Sequence, residues 1–367
     1  MGSSTPELGN RDDDAIHGII AGAMPRNLRL ALLGFGNVGQ RFAERLTGHY
    51  GKLLREAGVV PVLTGVATGR HGAALDAAGL DVRRCLRTVR TGGSLASFHR
   101  GRPVVDSLDF VRRVRADVLL EVTPLDPRRG EPATRHVRLA LSRGLHVVTA
   151  NKGPVAFAYR PLRALAERQR RLFLHEGAVM DATPIFNLKE RCLRGARILG
   201  FRGTLNATSN HILSALEAGR TFATALKEAQ DQGIAEADSR HDLEGWDAAL
   251  KGCALAAVLM GASVRPPEVK RQGIMGLAAK DARRALRAGR RLRLVVRGTR
   301  EGRRVRVSVR PEAVPLSDPL ATGGPDAVLL LDTDVMGEIG VIERGMSLDQ
   351  TAYALLSDLL EVVKAVR

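Results

Sequence analysis

The feature that most constrains the fold is LRLALLGFGNVGQRFAERL, residues 28–46. An apolar run suited to a buried strand leads into a glycine-rich turn, and an amphipathic helix follows. Glycines at these spacings allow a tight turn and leave room for a pyrophosphate at the helix N-terminus, where N–H groups are free. We predict a dinucleotide site here, with a purely structural turn as the alternative. Its residues are Gly34, Phe35, Gly36, Asn37, Val38 and Gly39.

Strand and helix patterns continue to alternate after this unit. PVLTGVAT, DVLLEVTP and LHVVTA have strand patterns, with helical stretches between them. This alternation is typical of right-handed crossovers and a parallel sheet. We predict a Rossmann-type domain over residues 27–151, preceded by a mobile extension over residues 1–26.

The rest of the chain has the pattern of an α+β domain. GWDAALKGCALAAVLMGA predicts a buried helix, and strand-like runs at 291–314 and 327–342 indicate a largely antiparallel sheet. We predict a substrate-binding, catalytic and dimerisation domain over residues 152–342, and a C-terminal helix, 343–367, that packs back on the first domain. The predicted fold class is α/β, a Rossmann-type parallel sheet with a second α+β domain.

The net charge of +17 prompts a comparison with nucleic-acid-binding proteins. However, RLRLVVRGTREGRRVRVSVR alternates apolar residues with arginine, as strands with one buried face do. Aromatic residues make up only 4% of the chain, too few for a base-stacking surface. We favour solvated strand faces over a nucleic-acid partner, and we keep a nucleic-acid-binding or dinucleotide-sensing protein as an alternative.

The sequence also indicates the cellular compartment of the protein. No apolar run approaches the roughly 20 residues that span a bilayer, and the N-terminus is polar and acidic, unlike a signal peptide. We expect a cytoplasmic protein with no membrane partner. Cys85, Cys192 and Cys253 are far apart and lack a CxxC spacing, so we expect reduced thiols with no disulfide or zinc site.

Polar residues at predicted strand ends are candidates for cofactor contacts, because ligands of open α/β sheets bind there. We predict Thr123 and Lys152 at the nicotinamide end; a strand-ending turn is the alternative for Thr123. The second strand ends without an acid for the ribose 2′-hydroxyl. Arg70 is there instead, and a cation suits a 2′-phosphate. We expect NADP or NAD, with NADP favoured; chance placement of one arginine among many is the alternative.

The stretch EADSRHDLEGWDAALKG, residues 236–252, concentrates acids around one lysine. Asp247 and Lys251 share a helix face, with Glu236 and Asp242 before them. Since the helix continues apolar nearly all round, the pair is expected at the mouth of a buried region. An ammonium beside carboxylates can bind a zwitterion and pass a proton; an ordinary surface ion pair is the alternative.

Several motifs together resemble those of a known family. They are GFGNVG, TANKGPVA, EGAVMDATPIF, GTLNATSNHIL and, most specific, AQDQGIAEADSRHDLEGWDAALK. From about Leu28 to the C-terminus the chain is similar to the homoserine dehydrogenases, which use NAD(P) to interconvert aspartate 4-semialdehyde and homoserine. The resemblance implies catalysis by Lys152 and Lys251, binding of the substrate ammonium by Glu236 and Asp247, and a homodimer.

The resemblance also implies a site for a monovalent cation, sodium or potassium, beside the cofactor. Glu176 and Val179 match part of this site, which is built partly from backbone carbonyls. The chain departs from the family pattern at three places. Residues 180–183, Met-Asp-Ala-Thr, replace a glycine-rich stretch next to the cation site. Residues 343–352 lack a GxGAG loop before the final helix, and His211 stands where an aromatic residue is common.

These departures keep one alternative open, a related Rossmann dehydrogenase acting on another small hydroxy compound. The chain stops at Arg367, directly after the predicted final helix. We therefore expect no appended ACT-type domain and no inhibition by threonine through one.

Overall fold

The structure, a computed structural model, describes residues 26–345 and 347–366. The predicted extension, residues 1–26, lies outside the described residues apart from Arg26.

The first part of the chain forms a six-stranded sheet in the order β3-β2-β1-β4-β5-β6. Its neighbours pair in parallel except for the antiparallel pair β2–β3. The strands are β1 (Arg26–Leu33), β2 (Val59–Thr68), β3 (Gly72–Leu75), β4 (Val118–Glu121), β5 (His146–Thr149) and β6 (Phe173–Leu174). The helices are α1 (Asn37–Leu46), α2 (His49–Glu56), α3 (Val82–Arg90), α4 (Ser107–Arg113), α5 (Ala133–Ser142) and α6 (Lys152–Gln169). The predicted Rossmann-type sheet is confirmed.

The central strands are apolar because helices cover both faces of this sheet. Every residue of β4 and β5 is buried, as expected for parallel strands between two helical layers. The sheet extends beyond the domain boundary predicted at residue 151, because α6 crosses back and β6 adds a sixth strand beside β5. The sequence of residues 160–184 has the pattern of a helix followed by a strand, and the structure has the end of α6 and then β6 there.

The second sheet also has six strands, in the order β12-β11-β7-β9-β10-β8. Pairing is antiparallel except for the short parallel pair β8–β10. The strands are β7 (Ile198–Thr204), β8 (Lys270–Arg271), β9 (Arg290–Glu301), β10 (Arg304–Pro315), β11 (Ala327–Thr333) and β12 (Gly337–Glu343). The helices are α7 (Ile185–Asn187), α8 (Ala207–Glu217), α9 (Phe222–Asp231), α10 (Arg240–Leu243), α11 (Trp246–Leu259) and α12 (Ala279–Arg287). The prediction of a largely antiparallel sheet is confirmed.

Short irregular helices complete the connections. Three are 3₁₀ turns, at Leu95–Phe98, Glu176–Ala178 and Pro266–Glu268, and a π-helical turn spans Leu188–Cys192.

The arginine-rich hairpin β9–β10 follows the predicted alternation only in part, because Arg293 is fully buried and pairs with Glu217 at 3.0 Å. Leu292, Leu294 and Val296 are buried, whereas outward arginines pair with carboxylates. Arg297 contacts Glu312 at 2.7 Å. The second face of the hairpin is therefore only partly solvated, since Arg293 and Val295 are buried on it, and its positive charge is partly compensated.

The final helix, α13 (Leu348–Val366), packs on the first sheet. Its apolar face, including Leu355 and Leu359, belongs to the same core as Leu30 and Leu32 of β1. An ion pair of 2.9 Å between Asp349 and Arg45 ties its first turn to α1. The chain thus returns to the first domain after completing the second.

No helix within residues 26–345 and 347–366 is long and apolar enough to cross a membrane. The cysteine thiols are unpaired, with Cys85 and Cys253 buried and Cys192 exposed.

Candidate active site

A single carboxylate lies between two lysines at the junction of the two domains. Asp247 is in the first turn of α11 and Lys251 is one turn later, as the spacing predicts. Lys251 Nζ lies 3.3 Å from Asp247 Oδ2, and Lys152 Nζ lies 3.2 Å from Oδ1. Lys251 also donates to the Leu205 carbonyl. The structure therefore brings both predicted lysines to one acid.

Lys152 owes its position to a helix cap. Asn151 precedes α6, and its side-chain Oδ1 accepts from the backbone N–H of Gly153 at 2.9 Å. Its Nδ2 donates to the Thr123 carbonyl at 3.0 Å, which fixes the end of β4 beside the end of β5. Because Lys152 is the first helical residue, its side chain leaves the sheet at the carboxyl ends of the strands.

A second acid, Asp242, is held next to Asp247 by Asn206. Asn206 Nδ2 donates to Asp242 Oδ1 at 2.8 Å and to Asp247 Oδ2 at 2.9 Å. Thr208 Oγ1 donates to Asp242 Oδ2 at 3.1 Å. Asn206 also caps α8, since its Oδ1 accepts from Ser209 N. Sequence reasoning missed Asn206, although the pattern Asn-Ala-Thr-Ser is a helix-start signal.

The charged groups in this cluster shift one another's pKa values. Burial opposes ionisation of Asp247, but Lys251 and Lys152 outweigh it and hold the pKa of this carboxyl below its ordinary value. Burial also opposes the charge on Lys152, yet Asp247 raises the pKa of this ammonium. For Asp242, burial and the negative charge of Asp247 together raise the pKa. The cluster therefore keeps Asp247 ionised and Lys152 cationic at neutral pH.

The glycine-rich turn is shaped to receive phosphates. Gly34 adopts φ 103°, and a Cβ there would meet the Val122 carbonyl oxygen at 2.3 Å. A Cβ on Gly39 would meet the Gly34 carbonyl oxygen at 2.2 Å, whereas Gly36 has open space around it. No side chain caps α1 at Gly36, so its first N–H groups are available. The turn therefore fits a dinucleotide pyrophosphate.

The remaining residues of the glycine-rich turn differ in their exposure to solvent. Phe35 is buried at 2% exposure. Asn37 and Val38 open α1, the first exposed and the second half-buried. Arg70 is exposed directly after β2, at the edge where the adenosine end of a dinucleotide lies in this fold.

Thr123 is held by a buried acid that sequence reasoning did not single out. Glu121, the last residue of β4, is fully buried. It accepts from the hydroxyl and the backbone N–H of Thr123 and from the Thr149 hydroxyl at 2.9 Å. A carboxylate ending an apolar strand, as in DVLLE, is the signal that could have found it. Glu121 fixes the turn where the nicotinamide end is expected.

Two other acids that the sequence predicts as site residues are Glu236 and Glu176. Glu236 is exposed in the loop before α10, and its carboxylate has no ion pair or hydrogen bond within the described part of the chain. The Glu176 carboxylate accepts from the backbone N–H groups of Phe186 and Asn187, each at 2.8 Å, and from the Asn187 amide.

Those donors contact both Glu176 oxygens, and Val179 is buried. No cluster of three or more His, Cys, Asp or Glu residues that could hold a metal ion occurs in residues 26–345 and 347–366. Neither observation tests a site built partly from backbone carbonyls, and the predicted cation stays a prediction.

Comparisons with known proteins agree with this geometry. A family model for the homoserine dehydrogenase NAD-binding domain matches residues 34–176, and the homoserine dehydrogenase model matches residues 184–360. A homoserine dehydrogenase of Methanocaldococcus jannaschii is 35% identical over 342 residues, which are 92% of this chain and 99% of the relative. The chain belongs to the homoserine dehydrogenase family.

Two further relatives extend the comparison. An NAD(+)-dependent homoserine dehydrogenase of Pseudomonas canavaninivorans is 36% identical, covering 91% of this chain and 96% of the relative. A solved structure from Archaeoglobus fulgidus that carries the homoserine dehydrogenase name superposes with a TM-score of 0.82. That match is 34% identical and covers 92% of this chain and 99% of the other. The chain is thus an NAD(P)-dependent oxidoreductase that interconverts aspartate 4-semialdehyde and homoserine.

Proposed function

We propose that Lys251 is the general acid and base of this reaction, and that Lys152 orients the substrate carbonyl. The observation that carries the proposal is the Asp247 carboxylate shared by the two ammonium groups, at the carboxyl ends of the first sheet. This is where ligands of open α/β sheets bind. The residues of the glycine-rich turn and Thr123 would hold the cofactor beside them.

The different roles that we assign to the two lysines follow from their surroundings. Bound NAD(P)H supplies a hydride, and negative charge then grows on the carbonyl oxygen of the substrate. Lys251 donates a proton to that oxygen, and its neutral amine takes the proton back in the reverse reaction. Lys152, whose pKa is raised by Asp247, stays cationic and so suits the task of orienting the carbonyl. Asp247 holds both ammonium groups close together, because each of them contacts its carboxylate.

Carboxylates near the lysines would select an amino-acid substrate. We assign the substrate ammonium to the acids around α11, namely Asp247, Asp242 and, by the family resemblance, Glu236. If the amine were missing, the negative charge of these carboxylates would be less well compensated, which penalises the analogue.

We further propose that NADP(H) is preferred over NAD(H) through Arg70, whose exposed guanidinium follows β2. A homodimer formed through the second sheet and a cytoplasmic location complete the proposal. The predicted monovalent cation takes no part in the mechanism.

Purified full-length protein tests the proposal directly. It is mixed with L-homoserine and either NAD⁺ or NADP⁺, and formation of reduced cofactor is followed by absorbance. We expect reduction that depends on homoserine, and slower reduction with 4-hydroxybutanoate, which lacks the amine. Absence of reduction with both cofactors would refute the proposal.

A further inference from the structure

Glu121, the last residue of β4, sets the direction of the hydrogen bonds of two threonines. Its side chain is fully buried. One of its oxygens, Oε1, accepts from the backbone N–H of Thr123 at 3.2 Å and from the Thr123 hydroxyl. The other oxygen, Oε2, accepts from the Thr149 hydroxyl at 2.9 Å. Because a carboxylate offers only acceptors, both hydroxyl hydrogens are committed to Glu121.

The Glu121 carboxylate is also packed against a buried histidine. His136 of α5 is fully buried, and its Nδ1 lies 3.6 Å from Glu121 Oε1. The other ring nitrogen, Nε2, lies 2.8 Å from the hydroxyl oxygen of Ser107 at the start of α4. Packing against α5, which itself contacts α4 through this pair, therefore helps to hold the carboxylate beside Thr123.

The hydrogen-bonding groups of Thr123 are largely used within the chain. Its N–H and O–H both donate to Glu121, and its carbonyl accepts from Asn151 Nδ2 at 3.0 Å. The lone pairs of the hydroxyl oxygen are the groups that remain for a ligand. Thr123 is half-buried, so a ligand at the carboxyl end of β4 can still reach it. To such a ligand Thr123 presents an acceptor and not a donor.

This polarity matches one half of the nicotinamide carboxamide. The carboxamide has an NH₂ donor and a carbonyl acceptor, and the Thr123 hydroxyl can pair only with the donor. We propose that Glu121 is a positioning residue, which makes the Thr123 hydroxyl an acceptor for the carboxamide NH₂ group and so orients the nicotinamide ring. The inference rests on the proposed function, because it takes Thr123 as a contact of the nicotinamide end.

The orientation of the carboxamide matters because it fixes the face of the ring that meets the substrate. Half a turn about the glycosidic bond would move the carboxamide away from Thr123 and present the opposite face of the reacting carbon. Glu121 also links this contact to the substrate side of the site. The Thr149 hydroxyl, which donates to Glu121, accepts from the N–H of Asn151 at 3.0 Å, and Lys152 follows directly.

Two oxidised cofactors that differ in one group test the inference. In the 3-acetylpyridine analogue a methyl ketone replaces the carboxamide, so the carbonyl remains and the NH₂ donor is lost. Calorimetry measures the Kd of the natural cofactor and of the analogue, and the ratio of the two is compared between variants. Thr123→Val removes the acceptor, so we expect the preference for the carboxamide to fall roughly 3- to 10-fold, the contribution of one hydrogen bond. Thr91→Val, at an exposed threonine of the same domain, is the control.

Two variants of Glu121 separate hydrogen-bond direction from charge. Glu121→Leu frees the Thr123 hydroxyl to donate, so we expect the preference to fall as it does in Thr123→Val. Glu121→Gln should keep the preference, because its oxygen can accept from Thr123 while its NH₂ group donates to the Thr149 hydroxyl. Glu56→Leu, at an exposed acid of the same domain, is the control. If Glu121→Leu does not fold, Thr123→Val and Glu121→Gln decide the outcome.

Three results would overturn the inference: unchanged binding of both cofactors by Thr123→Val, equal weakening of both, or loss of the preference in Glu121→Gln. The first excludes contact with the NH₂ group, the second indicates a ribose contact or a structural role, and the third indicates that charge matters instead of direction. Homoserine-dependent turnover of the parent separates the inference from the proposed function. Turnover with an unchanged ratio in Thr123→Val would refute only the inference, whereas the expected ratios without turnover would refute only the function.

Discussion

Lys251 occupies a position that arginine would fill equally well if holding Asp247 were its only task. The chain has eight lysines and forty-eight arginines, so a plain positive charge is nearly always arginine. Both contacts of the ammonium, Asp247 and the Leu205 carbonyl, are contacts that a guanidinium also makes. The property unique to lysine is proton exchange, because a guanidinium with a pKa above about 12 neither donates readily nor acts as a base near neutrality.

Replacement of Lys251 by arginine should therefore separate charge from proton transfer. We expect Lys251→Arg to retain the fold and cofactor binding while kcat falls by roughly 10²–10⁴, the usual contribution of general acid–base catalysis. Stopped-flow measurement of hydride transfer checks this. Lys227→Arg is the control, because Lys227 is exposed and also pairs with an aspartate one turn away, at 3.1 Å. A Lys251→Arg rate within about threefold of the parent would mean that the proton comes from elsewhere.

Arg70 is the second residue whose role rests on charge. A charge-assisted contact with a 2′-phosphate contributes roughly 1.5–3 kcal/mol. We expect Arg70→Ala to weaken NADPH binding by about 10- to 100-fold and to leave NADH binding unchanged, as measured by fluorescence titration. Arg83→Ala removes an exposed arginine of the same domain as a control. Equal weakening of both cofactors would show that Arg70 does not contact the 2′-phosphate.

At the scale of elements, the sequence predicts what local pattern determines. The β1–turn–α1 unit, the arginine-rich hairpin and the final helix follow from periodicity and glycine placement, and the structure contains each of them. A strand after α6 is predicted by the local pattern, but the pairing of β6 with β5 in the first sheet escapes prediction because it depends on a distant segment. The contacts of Asn151 and Asn206 escape it for the same reason. A cap can be predicted locally, but its second hydrogen bond depends on which distant strand lies beside it.

The edge formed by β5 and β6 should respond to acid. His146 on β5 is buried, and its Nδ1 accepts from the Leu172 N–H at 3.1 Å, next to β6. Burial, with a smaller contribution from Arg171, lowers the pKa of His146 to about 4. Protonation of the ring would turn this acceptor into a donor that faces another donor. Since the unfolded chain binds this proton near the ordinary pKa of 6.5, folding stability is lost as pH falls from 6.5 toward 4.

We expect His146→Gln to reduce this loss, because a glutamine oxygen can accept from Leu172 and does not titrate. The free energy of unfolding of the parent should fall more steeply between pH 7 and 4 than that of the variant, by at most about 3 kcal/mol. Urea denaturation at each pH measures both slopes. His175, whose pKa burial also lowers to about 4, keeps part of the slope in the variant. The exposed His49, replaced by Gln, is the control; identical slopes for the parent and His146→Gln would contradict the argument.

At the scale of the whole molecule, the candidate site exists only where the two domains meet. The sequence predicts Lys152 at a strand end and the Asp247–Lys251 pair on a helix. Their convergence is implied by the family resemblance but not by local pattern, because it depends on the packing of α6 against α11. Contacts between distant segments, rather than residue types, complete the site.

The second sheet gives the last prediction, a homodimer. β12 is at the edge, with β11 as its neighbour on one side only within the described chain. Val335, Met336 and Ile342 are 70%, 55% and 52% exposed there, and an apolar edge of this kind is usually covered or paired. We expect a dimer in sedimentation velocity at micromolar concentration. Ile342→Lys should shift it toward monomer, because an unpaired charge at an interface is costly to desolvate. Val105→Lys, at a 76% exposed site of the first domain, should leave the dimer intact. A parent protein that sediments as a monomer would contradict the prediction, and equal dissociation of both variants would place the interface elsewhere.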